Sequence, residues 1–533
     1  MKVKDGFDPS SIKRKLEIIR INPDISYLTE DQKEVLKKLV ECGKILDNVF
    51  YLQKYSKNFE LKDEILKLGN DEITNYYKVM SGPFDQLNDN NSFIEGIEKT
   101  DKGGFYPENL TKERFEEFLT KNPDKKDSLI SPYTVIVEKK DNLVAIPYSE
   151  YYKAYLSKAS EVLFDAANYA ENFTVKSYLQ AYANAFLTND FHEADIRWLQ
   201  LENNDIESLI GPHEFYEDRF LGYKASFTCF VAVKNREEFK KLTLIQKLLD
   251  KFQENLPIPD YYKKIKRGSI SQIQIVNLLF ASGDARGAIQ TAAFNLPNSQ
   301  KIRSLFGSKK ILIYNIMEAK FNSIMKKISD KLLDDKDKSK VTFASYFNFI
   351  LMHEISHELG IGFVKDDNGN LYEISYYLKD LYTVIEEAKA DVMGMFLLIY
   401  LVKEYFLTDC SFVEISTTYL IGLLRSMRFG KENAHGLASI IQWNYLKKEG
   451  VIVPSKNGIS LSLDLHKFEK IIENILTVIL TLQGEGDYEK TKEFIDEYSY
   501  MDSSLTNYIE DINTLAIDVY PYFPFAGEEE PIL

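Results

Sequence analysis

Cysteine is scarce in this 533-residue chain: there are three, Cys42, Cys229 and Cys410, widely spaced and without a C-x-x-C pair. That excludes a disulfide framework and a thiolate metal cage, and leaves buried or idle thiols in a reducing compartment. Basic charge is in deficit, 66 Lys and Arg against 81 Asp and Glu, a net charge of −15. The chain therefore lacks the basic surface that nucleic acid or an anionic membrane requires. Long apolar runs are missing too. The longest, Val392 to Val402, ends at Lys403, far short of the ~20 residues of a membrane span, and reads as buried helix. The N-terminal stretch MKVKDGFDPSSIKRKLEIIR sets Asp5, Asp8 and several lysines where a signal peptide needs apolar residues, so the expected location is the cytoplasm. What is abundant is apolar and aromatic matter, 44% and 13% of residues. The length, 533 residues, allows two or more lobes around a sizeable core, with no metal or disulfide needed merely to hold the fold.

The hydrophobic pattern divides the chain. Asp31 to Phe50 and Ser149 to Asn172 carry apolar residues at three- and four-residue spacing and read as helices, while Gly82 to Gly104 is polar and loop-like. Tyr133 to Val137 and Leu143 to Ile146 are β-type runs flanking Lys139-Lys140-Asp141-Asn142, and Phe227 to Val233 is a third. From Val341 long helices return: Thr342 to Leu359, Lys379 to Lys403, Glu414 to Met427, Asn433 to Lys448 and Lys467 to Leu482. Between the first two, Lys365 to Asn370 is a turn whose spacing does not fit a calcium loop. The expected class is α+β, mainly α.

The chemistry concentrates in His353-Glu354-Ile355-Ser356-His357, an HExxH string on a helix expected to stop at Gly360 or Gly362. Helical positions i and i+4 share a face, so the two imidazoles can converge on one ion with Glu354 beside them. The chain has six histidines, and two fall at this spacing. A catalytic zinc takes a third protein ligand and leaves a position for water. Glu386-Glu387-Ala388-Lys389-Ala390-Asp391 puts carboxylates into an otherwise apolar helix. Glu387 can bind the metal, while Asp391, four residues on, accepts the distal N–H of a ligating histidine, and Glu386 can do similar orienting work.

These motifs resemble those of the dipeptidyl peptidase III family of zinc peptidases. The doublet string is similar to that family's E-E-C-R-A-E/D element, and no G-x-M-E-N aminopeptidase motif is present. Ala293-Phe294-Asn295-Leu296-Pro297-Asn298 resembles its G-I-N-I-P-N element. Ile210-Gly211-Pro212-His213-Glu214-Phe215-Tyr216-Glu217-Asp218 resembles its I-G-x-x-E-x-Y-x-D segment, and Ala434-His435-Gly436-Leu437-Ala438 its A-H-x-x-A helix. The order of the elements also matches, over about residues 205 to 450. The chain departs from the family in its HEISH pentapeptide, a form some short bacterial members share, where most members have a hexapeptide. It also has Ser439 in place of an arginine and Thr228 in place of a glutamate.

The resemblance implies two lobes with a cleft between them. Residues 1–236 plus about 279–324 would form a mixed α/β lobe, about 237–278 plus 325–515 a helical zinc lobe, and 516–533 a C-terminal tail. It implies one Zn²⁺ on His353, His357 and Glu387, with Glu354 as general base and Tyr216 and His435 as hydrogen-bond donors to the oxyanion. Glu214 would meet the substrate's free ammonium, and Asn295 and Asn298 its backbone. The implied activity is release of dipeptides from the N-terminus of short peptides. A zinc endopeptidase, another exopeptidase of the same class, or a non-catalytic peptide-binding protein that keeps the fold stands as an alternative. Short peptides are the expected partners, and the oligomeric state is left open, a monomer being compatible with all of this.

Overall fold

A computed structural model describes residues 1–140, 142–263, 271–366, 368–455, 458–461 and 465–531, with backbone alone for 453–455, 458–461, 465 and 466. The chain divides into two compact units, Met1–Arg236 with Gln272–Ile316 and Asp518–Leu533, and Glu237–Ser271 with Met317–Ile517.

The first unit is built on a five-stranded sheet. Strand β1, Leu16–Arg20, lies outside that sheet, and the hairpin β2 (Thr134–Lys139) and β3 (Asn142–Pro147) forms a separate pair around the turn read from the sequence; Asp141 of that turn lies outside the described residues. The sheet itself consists of β4 (Leu209–Glu214), β5 (Ser226–Lys234), β6 (Gln272–Gly283), β7 (Ala293–Leu296) and β8 (Lys309–Ile313), in the order β4-β5-β6-β8-β7. β5 pairs antiparallel with β4 and β6, β6 runs parallel to β8, and β8 antiparallel to β7. All but the last residue of β5 are buried, which is why its sequence is a nearly unbroken apolar run: an interior strand covered on both faces has no polar alternation. The covering layer includes α1 (Glu30–Lys54), which packs on β5 and β6 and against α2 (Lys153–Tyr169), itself packed on α3 (Phe173–Thr188). Thr29 starts α1 with a reciprocal capping box to Gln32, and the apolar series Val35, Leu36, Leu39, Val40, Leu46, Val49 and Phe50 faces the core.

Three expected bounds need correction. Residues 317–324, assigned to the mixed lobe, belong to the second unit, which takes up the chain again at Met317. Residues 272–278, assigned to the helical lobe, belong to β6, because Gln272-Ile273-Gln274-Ile275-Val276 pairs along β8 and is part of the sheet. The segment expected as a C-terminal tail, 516–533, joins the first unit from Asp518 onward. It forms β9 (Asp518–Tyr522), paired in parallel with β1, so that Ile18 meets Tyr520. Val519 and Phe523 are fully buried, and Glu528 grips Arg286 through both carboxylate oxygens.

The second unit is mainly helical. Its long helices are α4 (Phe343–Ser356), α5 (Tyr382–Lys403), α6 (Phe412–Met427), α7 (Ala434–Lys448) and α8 (Leu465–Glu485). α5 is the hub, packed against α4, α6, α7 and α8, as its wholly apolar stretch from Val392 requires. Thr342, Ser411 and Asn433 cap α4, α6 and α7. Between α4 and α5, the Lys365–Asn370 turn joins two short strands, Phe363–Lys365 and Leu371–Glu373, and the Asp366 carboxylate accepts from the backbone of Asn368 and Asn370; Asp367 lies outside the described residues. Among the described residues no helix is long and apolar enough to cross a membrane, and the three cysteines are buried and unpaired.

Candidate metal centre

His353 lies in the last turn of α4, and the helix ends at Ser356, earlier than the glycines suggested. His357 is the capping residue but keeps helical angles, φ −60° and ψ −24°, so the i, i+4 relation survives the helix end. The chain then turns at Gly360, whose φ of +90° only glycine adopts cheaply, and buried Gln253 clasps it by two hydrogen bonds of 2.9 and 3.0 Å. α5 can lie close to α4 because Gly394 faces it: a Cβ there would stand 2.8 Å from the backbone nitrogen of His353. That close approach brings the carboxylates of α5 to the two rings.

Each ring is held from behind. His353 Nδ1 is 2.7 Å from Asp391 Oδ1, and His357 Nδ1 is 2.9 Å from Glu386 Oε1. The carboxylates are held in turn: Gln442 Nε2 donates to Asp391 Oδ2 and Gln483 Nε2 to Glu386 Oε2, both at 2.9 Å. With the Nδ1 hydrogens on carboxylates, the two Nε2 atoms face each other at 3.2 Å. Glu387 Oε2 completes the group, 3.5 Å from His353 Nε2 and 3.7 Å from His357 Nε2. His435, at the start of α7, brings Nδ1 to 3.1 Å from the same oxygen, within ion-pair distance, yet that buried oxygen has no well-directed hydrogen bond. His353, Glu387 and His435 have ligand atoms within 4.8 Å of one another.

The electrostatics are those of a cation site. Burial opposes a charge on His353, but the Asp391 hydrogen bond and the carboxylates of Asp391, Glu354 and Glu387 push its imidazole up to about 9. Burial likewise opposes the charge of Glu386, which Lys389 and His357 nevertheless bring down to about 2, and His353 holds the buried Asp391 below the ordinary carboxylate range. Two imidazole lone pairs and an orphaned carboxylate oxygen converging on one point need either a bound proton or a metal ion between them. The donor set of nitrogen and oxygen suits a divalent cation of borderline softness.

Of the remaining residues singled out from the sequence, Glu214, Tyr216, Asn295, Asn298 and Thr228 belong to the first unit and Ser439 to the second. Glu214 ends β4 beside an irregularity in its pairing with β5, and burial raises its carboxyl to about 7. Tyr216 follows in a loop, 71% exposed. Asn295 sits on β7 opposite Lys310 with its Oδ1 buried and unpartnered, while Asn298 donates through Nδ2 to the His213 carbonyl at 2.7 Å. Ser439 is buried within α7, and the Thr228 hydroxyl is buried without a partner. Sequence reasoning missed Lys389, Gln442, Gln483 and Gln253. Lys389 carried a signal, being a lysine on an apolar helix face one turn from Glu386; the glutamines carried none.

The model of the peptidase family M49 matches residues 108–375, a span that contains HEISH and ends before Glu387. A solved structure of DPP III from Caldithrix abyssi superposes with a TM-score of 0.92 at 37% identity, covering 96% of this chain and 98% of that one. The dipeptidyl-peptidase III structure from Corallococcus sp. strain EGB gives 0.78 at 29% identity, covering 98% of each chain. Among curated proteins, Nudix hydrolase 3 of Arabidopsis thaliana is 29% identical over 95% of this chain and 73% of its own length. Human dipeptidyl peptidase 3 is 28% identical over 41% of this chain and 29% of its own length. Family match, whole-chain superposition and the convergent histidines and carboxylates agree: the chain is a metallopeptidase and belongs to peptidase family M49, the dipeptidyl peptidase III family.

Proposed function

We propose that the chain releases dipeptides from the free N-terminus of short peptides, using one zinc ion held by His353, His357 and Glu387. The observation that carries this reading is the pair of imidazoles, each fixed through Nδ1 to a carboxylate, facing each other beside an orphaned Glu387 oxygen. Zinc bound there would supply Lewis-acid polarisation of the scissile carbonyl and a more acidic water.

The chain's own residues supply the rest. Glu354, next to His353 and half-buried, takes the water proton and passes it to the departing amine. His435, with a side chain 56% exposed, and Tyr216 donate hydrogen bonds to the developing oxyanion. Glu214 pairs with the substrate ammonium, and the side-chain carbonyl oxygens of Asn295 and Asn298 accept from the peptide backbone. The buried, unpaired cysteines fit a reducing cytoplasm.

The test is mass spectrometry of products from matched peptides with free and N-acetylated termini, by metal-stripped protein with and without zinc restored. Dipeptides from the free peptides, only with zinc, are expected. Equal cleavage of both forms at the same bond replaces the exopeptidase reading with an endopeptidase.

A further inference from the structure

The two histidines of HEISH are held by unequal devices. His353 lies inside α4, and the chain behind it is neutral beyond Asp391: Gln442 bonds Asp391 and in turn accepts from the Tyr419 hydroxyl. His357 lies past the end of the α-helix, in a final turn closed only by i→i−3 bonds, from Glu358 N–H to the Ile355 carbonyl and from Leu359 N–H to the Ser356 carbonyl. There a buried cation intervenes. Lys389 is 1% exposed, and its ammonium is 2.8 Å from Glu386 Oε1, the oxygen that also holds His357 Nδ1. Its other two contacts are the carbonyl oxygens of Ser356, at 2.7 Å, and Leu359, at 3.1 Å.

All three ammonium hydrogens thus have acceptors, and the acceptors bracket one residue. Ser356 and Leu359 flank His357 in the backbone, and Glu386 orients its ring. A buried ammonium is costly unless fully paired, so a lysine in this place argues for a task that an apolar side chain could not perform.

We propose that Lys389 is the positioning residue for His357: one ammonium fixes the backbone on both sides of that histidine and the carboxylate behind its ring, and so holds its Nε2 lone pair towards the metal. His353 gets the same service from its helix and needs no cation. This rests on the zinc reading given above.

The experiment is zinc affinity by chelator competition for the full chain, with melting of the metal-free proteins alongside. Lys389→Met is expected to raise the zinc Kd roughly 10–100-fold, the usual cost of losing an orienting partner, and Lys389→Arg to recover most of it. The discriminating step is a double-mutant cycle. In a His357→Ala background, Lys389→Met should change the zinc Kd no further, whereas in a His353→Ala background it should keep its full effect. Equal and additive effects in both backgrounds, or a lowered melting temperature with unchanged zinc affinity, would overturn the proposal. If Lys389→Met does not fold, Glu386→Gln with Lys389→Met removes both charges together and is expected to give the same loss through His357 alone. Wild-type protein that takes up no zinc would overturn the metal reading itself, an outcome distinct from zinc-binding protein that is indifferent to Lys389.

Discussion

Around Glu387 the rings and carboxylates are bonded from behind, two layers deep, before any ligand arrives: His353 to Asp391 to Gln442, His357 to Glu386 to Gln483 and Lys389. Around Glu214 the reverse holds. Tyr216 is mostly exposed, Asn295 keeps a buried oxygen without a donor, and Glu214 carries a carboxyl whose proton burial makes hard to lose. The first group stands on long helices packed into a core, the second on strand ends and a loop. Under the proposed function this difference has a reason: a metal site must hold its donors within a fraction of an ångström and gains from rigidity, whereas groups proposed to meet a variable peptide keep unspent hydrogen-bonding capacity for it.

The strongest way to break the comparison is to remove a donor from the rigid group. His353→Ala, His357→Ala and Glu387→Ala are each expected to abolish hydrolysis and to weaken metal binding so that the protein as purified holds little metal, with a Kd still measurable by chelator competition, while the cooperative melt persists, because the apolar contacts of α5 and not the metal hold the second unit. Wild-type metal stoichiometry in Glu387→Ala, by elemental analysis, would remove that residue from the ligand set. Next in size is Glu354→Gln, expected to keep the metal and lower kcat by roughly 10²–10⁴-fold, the usual worth of a positioned base. A kcat near wild type would leave the base unassigned.

The sequence carried the rigid group more fully than the open one. HExxH and the Glu-Glu doublet announced themselves because i, i+4 spacing on a helix is a local rule, and His353, His357, Glu386, Glu387 and Asp391 do come together. What lay beyond was non-local. The parallel pairing of β1 with β9 joins the two ends of the chain, and no pattern in residues 518–522 says which strand they meet. Likewise β6 reads as a strand only by alternation in Gln272-Ile273-Gln274-Ile275, and its partner β8 is reached after a long crossover. Gln442 and Gln483 come from other helices altogether. The stop of α4 at Ser356, short of the glycines, was equally hidden, since Lys389 of α5 takes the carbonyls at that end.

The open group is sharpened by its anchor. Glu214→Ala is expected to raise KM for free-amine peptides by about 2–3 kcal/mol, the worth of a charged hydrogen bond. Metal content should not change, because Glu214 contributes nothing to the ligand cluster. An unchanged KM would place the ammonium elsewhere.

The smallest effect expected is a pH dependence in that same anchor. Glu214 ionises at about 7 in the folded chain, against an ordinary 4.5, because burial disfavours its charge. Between those values the folded state holds more protons than the unfolded, so this residue's contribution to stability falls as pH rises from about 4.5 to 7. Binding runs the other way: a cationic ammonium needs the carboxylate ionised. From pH 6 to pH 7.5 the ionised fraction rises from about one tenth to about three quarters, while a peptide α-amine with a pKa of ~8 still keeps most of its charge. KM for free-amine peptides should therefore fall roughly sixfold over that interval and climb again above about pH 8 as the ammonium deprotonates. Glu214→Gln cannot titrate and should lose the acid limb but keep the alkaline one, which belongs to the substrate. Comparing the KM profiles of the two proteins cancels whatever the metal ligands contribute, and an acid limb that persists in Glu214→Gln would assign the titration to another group.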